Sequence, residues 1–457
     1  MDKKNVIAIF DVGKTNKKLF LFDEGYHIVF ERSAVIPETK DEDGFPCEDL
    51  QGLCSFIYNS FHELWIQKEF DIKAINFSAY GASFVNVGED GKPVTPLYNY
   101  LKPYPDHLLK QFYETYGGEE DFSYRTASPV LGNLNSGMQL YRIKYEKPEL
   151  FQKIKHAFHL PQFLSYLICG SHYSDITSIG CHTNLWNFQK NDYHDWVVKE
   201  EMLEKLLPIV QTDKTVLSTY NEYQYHVGIG LHDSSAALIP YLLSFHEPFV
   251  LISTGTWCIS LNPFNNAPLT REELKNDCLC YLQYNGKPVK AARLFAGQIH
   301  DQQVQRIADH FQTGVAKYKQ MQFSDEIASR LQKSGVRVSL KECAFEKREL
   351  FSFASCEEAY HQLIFDVIAQ QSFSTNLILQ NKEVKRIFVD GGFSKNEIYM
   401  NLLATAFPSM EVFATSMAQA TAMGTALIVH NSWNKNPIPN DIITLKYYSL
   451  PHKAVYK

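Results

Sequence analysis

Asp11–Lys18 reads DVGKTNKK and lies between two apolar runs, Val6–Phe10 (VIAIF) and Leu19–Phe22 (LFLF). Short β-branched, aromatic and aliphatic runs joined by a Gly and small polar residues predict a hairpin of two buried strands. The turn gathers backbone N–H groups, the Thr15 hydroxyl, the Asn16 amide and lysines, with the Asp11 carboxylate at its mouth. That is the chemistry of a cradle for a phosphate and its metal. An ordinary turn with solvated lysines has the same composition, so the rest of the chain must decide.

Downstream, Ile28–Ile36 reads as a strand, Asp49 as the cap of a helix over Leu50–Gln67, and Lys73–Ser78 as a strand ending at Ala79-Tyr80-Gly81-Ala82. Strand, strand, strand, helix, strand predicts an α/β domain whose ligands gather at the carboxyl ends of its strands. Aromatic, proline-punctuated loops over Tyr98–Gly118 and a long helical stretch from Asn135 follow. Residues Val227–Tyr241 read VGIGLHDSSAALIPY, and Asp233 stands where a small-residue helix begins, a position that suits both an N-cap and a catalytic carboxylate.

The opening then repeats. Phe249–Ser253 (FVLIS) is a strand, Thr254-Gly255-Thr256 a turn of small hydroxyl residues, and Trp257–Leu261 (WCISL) a second strand. Such a hairpin at the start of each half predicts an internal duplication, with a boundary near Leu243–Pro248 and domains over 1–245 and 246–457. A third turn, Gly391-Gly392, follows the strand Arg386–Asp390 and precedes a helix over Glu397–Phe407. Its glycines would let a flat adenosine approach the backbone.

Bulk properties narrow the classes. The 457 residues exceed what one core supports and carry a net charge of −7 with no basic run, which argues against a nucleic-acid binder. The nine cysteines are odd in number and include no CxxC pair. Neither a disulfide framework nor structural zinc is expected, and the thiols read as reduced. No apolar run approaches a membrane span and the start, MDKKNVIAIF, lacks a signal-peptide pattern, so the expectation is a cytoplasmic protein without membrane partners.

Together these motifs resemble the FGGY carbohydrate kinases of the actin, hexokinase and heat-shock ATPase superfamily. The resemblance covers nearly the whole chain and implies an α/β architecture of two ribonuclease H-like (actin-like ATPase) domains around an active-site cleft. DVGKTNKK resembles the family's first phosphate loop, ISTGTW (Ile252–Trp257) the second, DGGFSKN (Asp390–Asn396) the adenosine loop and GLHDSSAA (Gly230–Ala237) the catalytic segment. It implies Asp233 as general base and Asp11 as holder of Mg²⁺. ATP would be bound by Gly13, Thr15, Asn16, Lys18, Thr254, Gly255, Thr256, Gln302, Gly391, Gly392 and Asn396, and a ketose by Tyr80, Gly81, His232 and Asp233. A homodimer is compatible with this reading.

Within the family, His before the catalytic Asp, NLNSGMQL (Asn133–Leu140) and SIGCHTNLWN (Ser178–Asn187) resemble the rhamnulokinase and fuculokinase group. That implies a 6-deoxyketohexose such as L-rhamnulose or L-fuculose, with a pentulose or polyol as the alternative. AYGASF (Ala79–Phe84) stands where the group has Asp–Thr–Trp–Gly–Val–Asp, so both carboxylates are missing. Readings of another class are a catalytically silent sugar- or nucleotide-binding regulator, against which Asp233 speaks, and an actin-like assembly ATPase.

Overall fold

The computed structural model describes residues 3–66, 68–331, 342–379, 383–417 and 419–449. The first half is built on β1 (Lys4–Val12), β2 (Lys17–Asp23), β3 (Ile28–Ala34), helix α1 (Leu50–Ile66), β4 (Phe70–Ala79), β5 (Thr215–Tyr220), β6 (Tyr223–Gly228) and β7 (Leu231–His232). They form one sheet in the order β5-β6-β4-β1-β2-β3, with β7 continuing beside the end of β4. Strands β1–β3 are an antiparallel meander, and β4 runs parallel to both β1 and β6. The connection from β4 to β5 is a helical lobe that includes α2 (Leu160–Cys169). The lobe has its own aromatic core around Phe112, Phe122, Tyr141 and Trp196.

Helix α3 (Asp233–Ser244) then leads to the second sheet. Its strands are β8 (Phe249–Thr254), β9 (Cys258–Asn262), β10 (Cys278–Leu282), β11 (Pro288–Leu294), β12 (Arg386–Gly391), β13 (Glu411–Ser416) and β14 (Thr444–Tyr448). Their order is β10-β11-β9-β8-β12-β13-β14. The core β6-β4-β1-β2-β3 of the first sheet and β13-β12-β8-β9-β11 of the second share order and strand directions. The duplication inferred from two dissimilar turns is therefore present in the topology. Helices α4 (Ala296–His310), α5 (Cys356–Leu379) and α6 (Glu397–Ala406) cover the outer face of the second sheet, and α7 (Ala420–Leu427) returns to the first half.

Alternation along the strands explains how the halves join. Ile7 and Ile9 of β1 and Phe20 and Phe22 of β2 point inward onto Ala236 and Ile239 of α3 and Ala422, Met423 and Ala426 of α7. Phe249 and Leu251 of β8 and Phe388 of β12 pack on Leu238 and Tyr241, the opposite side of α3. Two helices, one from each half, are thus enclosed between two sheets, and each fully buried Ile or Phe contributes about 1.5–3 kcal/mol. Gly424 of α7 makes the close approach: a Cβ there would lie 1.9 Å from the Ala236 carbonyl oxygen. Gly424→Ala should separate the helices at a cost of about 1–3 kcal/mol. Thermal unfolding should show this as a lower Tm, by about 2–4 °C for each kcal/mol.

Two sequence expectations change. The Ile28–Ile36 strand ends at Ala34, and the β5–β6 hairpin was not anticipated. Its residues, TVLSTY and YQYHVG, lie at the sheet edge and are largely half-exposed, so they lack a clean apolar pattern. Gln67, at the end of the helix expected over Leu50–Gln67, lies outside the described residues.

Candidate active site

The strand registers bring two rows of side chains to the carboxyl edges of the inward faces. In the first sheet the row is Lys18, Asp11 and Ser78 on β2, β1 and β4. In the second it is Arg293, Ile259, Ser253 and Asp390 on β11, β9, β8 and β12. The enclosed helices present their N-terminal ends there, Asp233 on α3 and Gln419 before α7.

Asp11 is half-buried and accepts a hydrogen bond from the Ser78 hydroxyl at 3.0 Å. Burial pushes its pKa up to about 6; Ser78 opposes the rise, the Asp233 charge adds to it, and Lys18 across the hairpin opposes it. A carboxylate whose ionisation is opposed by burial and by the neighbouring Asp233 charge would be relieved by a divalent cation shared with a polyphosphate. Among the described residues no three His, Cys, Asp or Glu side chains form a metal site by themselves. That fits Mg²⁺, which takes few protein carboxylates and relies on phosphate and water.

Asp233 is not the N-cap of α3; His232 holds that position and Asp233 is the first helical residue. One carboxylate oxygen accepts from the Ser234 N–H at 2.5 Å and lies 3.2 Å from His232 Nε2. Burial raises its pKa to about 6 against the pull of those Ser234 bonds. His232, expected to touch a sugar hydroxyl, is enclosed instead. Its Nε2 faces Asp233 and, at 3.1 Å, Cys181 Sγ, while Nδ1 lies 3.2 Å from the Ser235 hydroxyl. Burial drives its pKa down to about 3, so it is neutral and orients Asp233. Gly81 serves the same packing, because a Cβ there would meet the His232 ring at 3.0 Å. A base with a pKa near 6 is ionised at neutral pH yet retains proton affinity. The acid limb of kcat/KM should therefore have its midpoint near pH 6, activity being lost as Asp233 and Asp11 protonate; an initial-rate pH series checks this.

The first hairpin divides its lysines. Lys14 Nζ bonds Glu38 at 2.7 Å and Glu48 at 3.1 Å, and fully buried Lys17 bonds Glu48 at 2.9 Å. Both amines thus brace the turn against the segment from Glu38 to Glu48. Lys18 reaches across the cleft to the Gln419 side-chain oxygen at 3.4 Å. Thr15 and Asn16 are exposed at the tip, and the Gly13 N–H donates to the Asn16 carbonyl at 3.0 Å.

The second and third turns are joined to each other. The Thr254 hydroxyl donates to the Asp390 carbonyl at 2.5 Å and accepts from the Phe393 N–H at 3.0 Å, so it is engaged within the protein. Gly391, at φ +87°, lies so near that a Cβ would be 1.9 Å from the Thr254 carbonyl oxygen; its missing side chain serves this contact. Gly392 faces open space. Beside these turns is a cavity of about 830 Å³, walled by Gly255, Thr256, Gly297, Gly392 and Phe393 on one side and Tyr318, Gln320 and Met321 on another. Asn396 lines it while capping α6 through Tyr399 N–H and donating to Tyr360 at 2.6 Å. Gln302, expected to contact nucleotide, is not among the lining residues; His300 and Asp301 of the same helix are.

On the sugar side, buried Tyr80 lies 5.8 Å from the half-buried Tyr100 ring, whose hydroxyl feels the Asp233 charge. His182 and Tyr281 converge on His232 at ring separations of 6.4 and 5.7 Å. Tyr100, His182 and Tyr281 had no individual signal in the sequence, because the sheet registers and the lobe, rather than a local motif, bring them together.

The model of the FGGY family of carbohydrate kinases, N-terminal domain, matches residues 6–239, and that of the carbohydrate kinase FGGY, C-terminal domain, matches 246–437. A rhamnulokinase of Oceanobacillus iheyensis is 20% identical over 417 residues, 83% of this chain and 81% of that one. A rhamnulokinase of Halalkalibacterium halodurans is 22% identical over 260 residues, 54% of this chain; the match spans 52% of that enzyme's length. In structure, a xylulose kinase from Rhodospirillum rubrum superposes with a TM-score of 0.78 at 13% identity, covering 98% of this chain and 94% of its own. The fold is therefore that of the actin-like sugar kinases, and with both family models matched over most of its length the chain belongs to the FGGY family of carbohydrate kinases.

Proposed function

We propose that this protein transfers the γ-phosphoryl group of ATP to the primary hydroxyl of a ketose, with a 6-deoxyketohexose such as L-rhamnulose or L-fuculose as substrate. The observation that carries the reading is Asp233: a carboxylate at the start of α3, 3.2 Å from the buried His232 ring, raised to about 6 and near enough to Asp11 of the first hairpin for its charge to act there. The first half, 1–245, contributes Asp11, the Gly13–Asn16 turn and the sugar side. The second, 246–457, contributes Gly255, Thr256, Gly392 and the nucleotide cavity.

Asp233 accepts the proton of the sugar hydroxyl while that oxygen bonds to the γ-phosphorus and the bond to the β-phosphate oxygen breaks, leaving ADP. Asp11 would hold Mg²⁺, which when bound neutralises the phosphate oxygens. Backbone N–H groups of both hairpin turns would orient those oxygens, and closure of the halves would exclude water as a competing acceptor.

The rhamnulokinase names of the curated relatives support the deoxyketose. The loop Ala79–Phe84 lacks both carboxylates of the rhamnulokinase pattern, and a pentulose or polyol acceptor is the second reading. An ADP-coupled assay across L-rhamnulose, L-fuculose, xylulose, ribulose and glycerol separates them. The deoxyketoses should give the highest kcat/KM, and preference for xylulose or glycerol overturns the choice.

A further inference from the structure

With Lys14 and Lys17 committed to Glu38 and Glu48, the first hairpin offers the cleft only one amine, Lys18. Phosphoryl transfer depends on neutralising charge at the transferring group, and a cation opposite the acceptor is worth orders of magnitude in rate. Across the cleft, the second sheet places Arg293 in the inward-facing row with Ser253 and Asp390, the counterpart of the row that holds Asp11.

Three observations define what this arginine can do. It is pinned: Nη2 donates to Asp277 Oδ1 at 2.6 Å, and the guanidinium lies over the Trp257 ring, 5.4 Å from its centroid. Trp257 directly follows Thr256, so the cation is fastened to the second glycine turn. It lies towards the residues packed on His232: its charge reaches Cys181, His182 and Tyr281, and these three contact the His232 ring. It also has an unmet need, because Nε is buried and has no hydrogen-bond partner in the protein, although the side chain as a whole is 13% exposed. A buried guanidinium N–H without an acceptor is costly unless a ligand supplies one.

We propose that Arg293 is a further catalytic residue, which donates from its free guanidinium N–H groups to the γ-phosphate oxygens and stabilises their charge as the phosphoryl group passes to the sugar. No proton moves to or from it, and Asp277 is its positioning residue. A planar fork held by a carboxylate and an aromatic face suits phosphate better than a lysine. The inference rests on ATP as donor but not on the identity of the sugar.

The test compares ADP with the β,γ-imido analogue of ATP, which adds the γ-phosphate. The wild type should bind the analogue more tightly than ADP. Arg293→Ala should leave ADP affinity within about twofold, remove the advantage of the analogue and lower kcat about 100-fold, with added guanidinium restoring part of the rate. Should Arg293→Ala fail to fold, Arg293→Gln is read the same way. Arg293→Lys should recover less than guanidinium does, because it cannot form the fork. Variants that keep the analogue's advantage, or that lose only sugar affinity measured without nucleotide, overturn the proposal. A wild type that binds neither nucleotide refutes instead the donor assignment on which it rests.

Discussion

The Asp233→Asn enzyme is expected to lose phosphoryl transfer by about 10³-fold or more while binding ADP as the wild type does. The amide has the same shape, keeps the bond from the Ser234 N–H through its oxygen and leaves His232 in place, so the loss isolates proton acceptance. A coupled assay with a nucleotide titration reads both quantities, and full kinase activity in the variant would remove Asp233 from the mechanism.

The same substitution should stabilise the fold, and the sign follows from the pKa. In the folded chain Asp233 titrates near 6, against an ordinary value of 3.8, so burial opposes its charged form. Above pH 6 the wild type carries that penalty in full; it shrinks as pH falls from 6 towards 4 and is absent below. Asn carries none of it. The variant's Tm should therefore exceed the wild type's at pH 8 and converge with it near pH 4, so that activity and stability respond oppositely at one position.

Gly297→Ala should produce the second large effect, on nucleotide rather than on chemistry. Gly297 is in the first turn of α4, and a Cβ there would lie 1.8 Å from the Gly255 carbonyl oxygen and 3.0 Å from that of Thr256. Backbone cannot yield as a flexible side chain can, so the second glycine turn or the helix must move. At about 1–3 kcal/mol for such overpacking, ADP affinity should fall about 5- to 150-fold. Sugar binding without nucleotide should change far less, since Tyr80, Tyr100 and His182 of the proposed sugar side are in the other half and Gly297 does not pack on Tyr281. Calorimetric titrations with each ligand distinguish this from general unfolding, which would lose both.

These effects show unequal legibility among the residues. Asp11, Gly13, Thr256 and Gly392 stand in turns flanked by continuous apolar, buried runs, and such a turn falls at a strand end whatever the rest of the chain does. His232 was legible as a neighbour of Asp233 but not in its role, because its burial depends on Cys181 from the lobe and on Ser235. Gln302 and Asp301 are adjacent on one helix, and helical phase against the cavity, rather than residue type, decides which lines it.

The family, the two strand–turn–strand hairpins and the acidic residue at the start of α3 are legible in the primary structure, because they are local patterns of apolar runs, glycine and small polar residues. Which partner each charge meets is set by long-range packing. Lys14 and Lys17 are drawn into the Glu38–Glu48 brace, Lys18 is turned towards Gln419, and Arg293 is held by Asp277 over the Trp257 ring. A charge's function depends on what neutralises it, and those partners lie tens to hundreds of residues away along the chain.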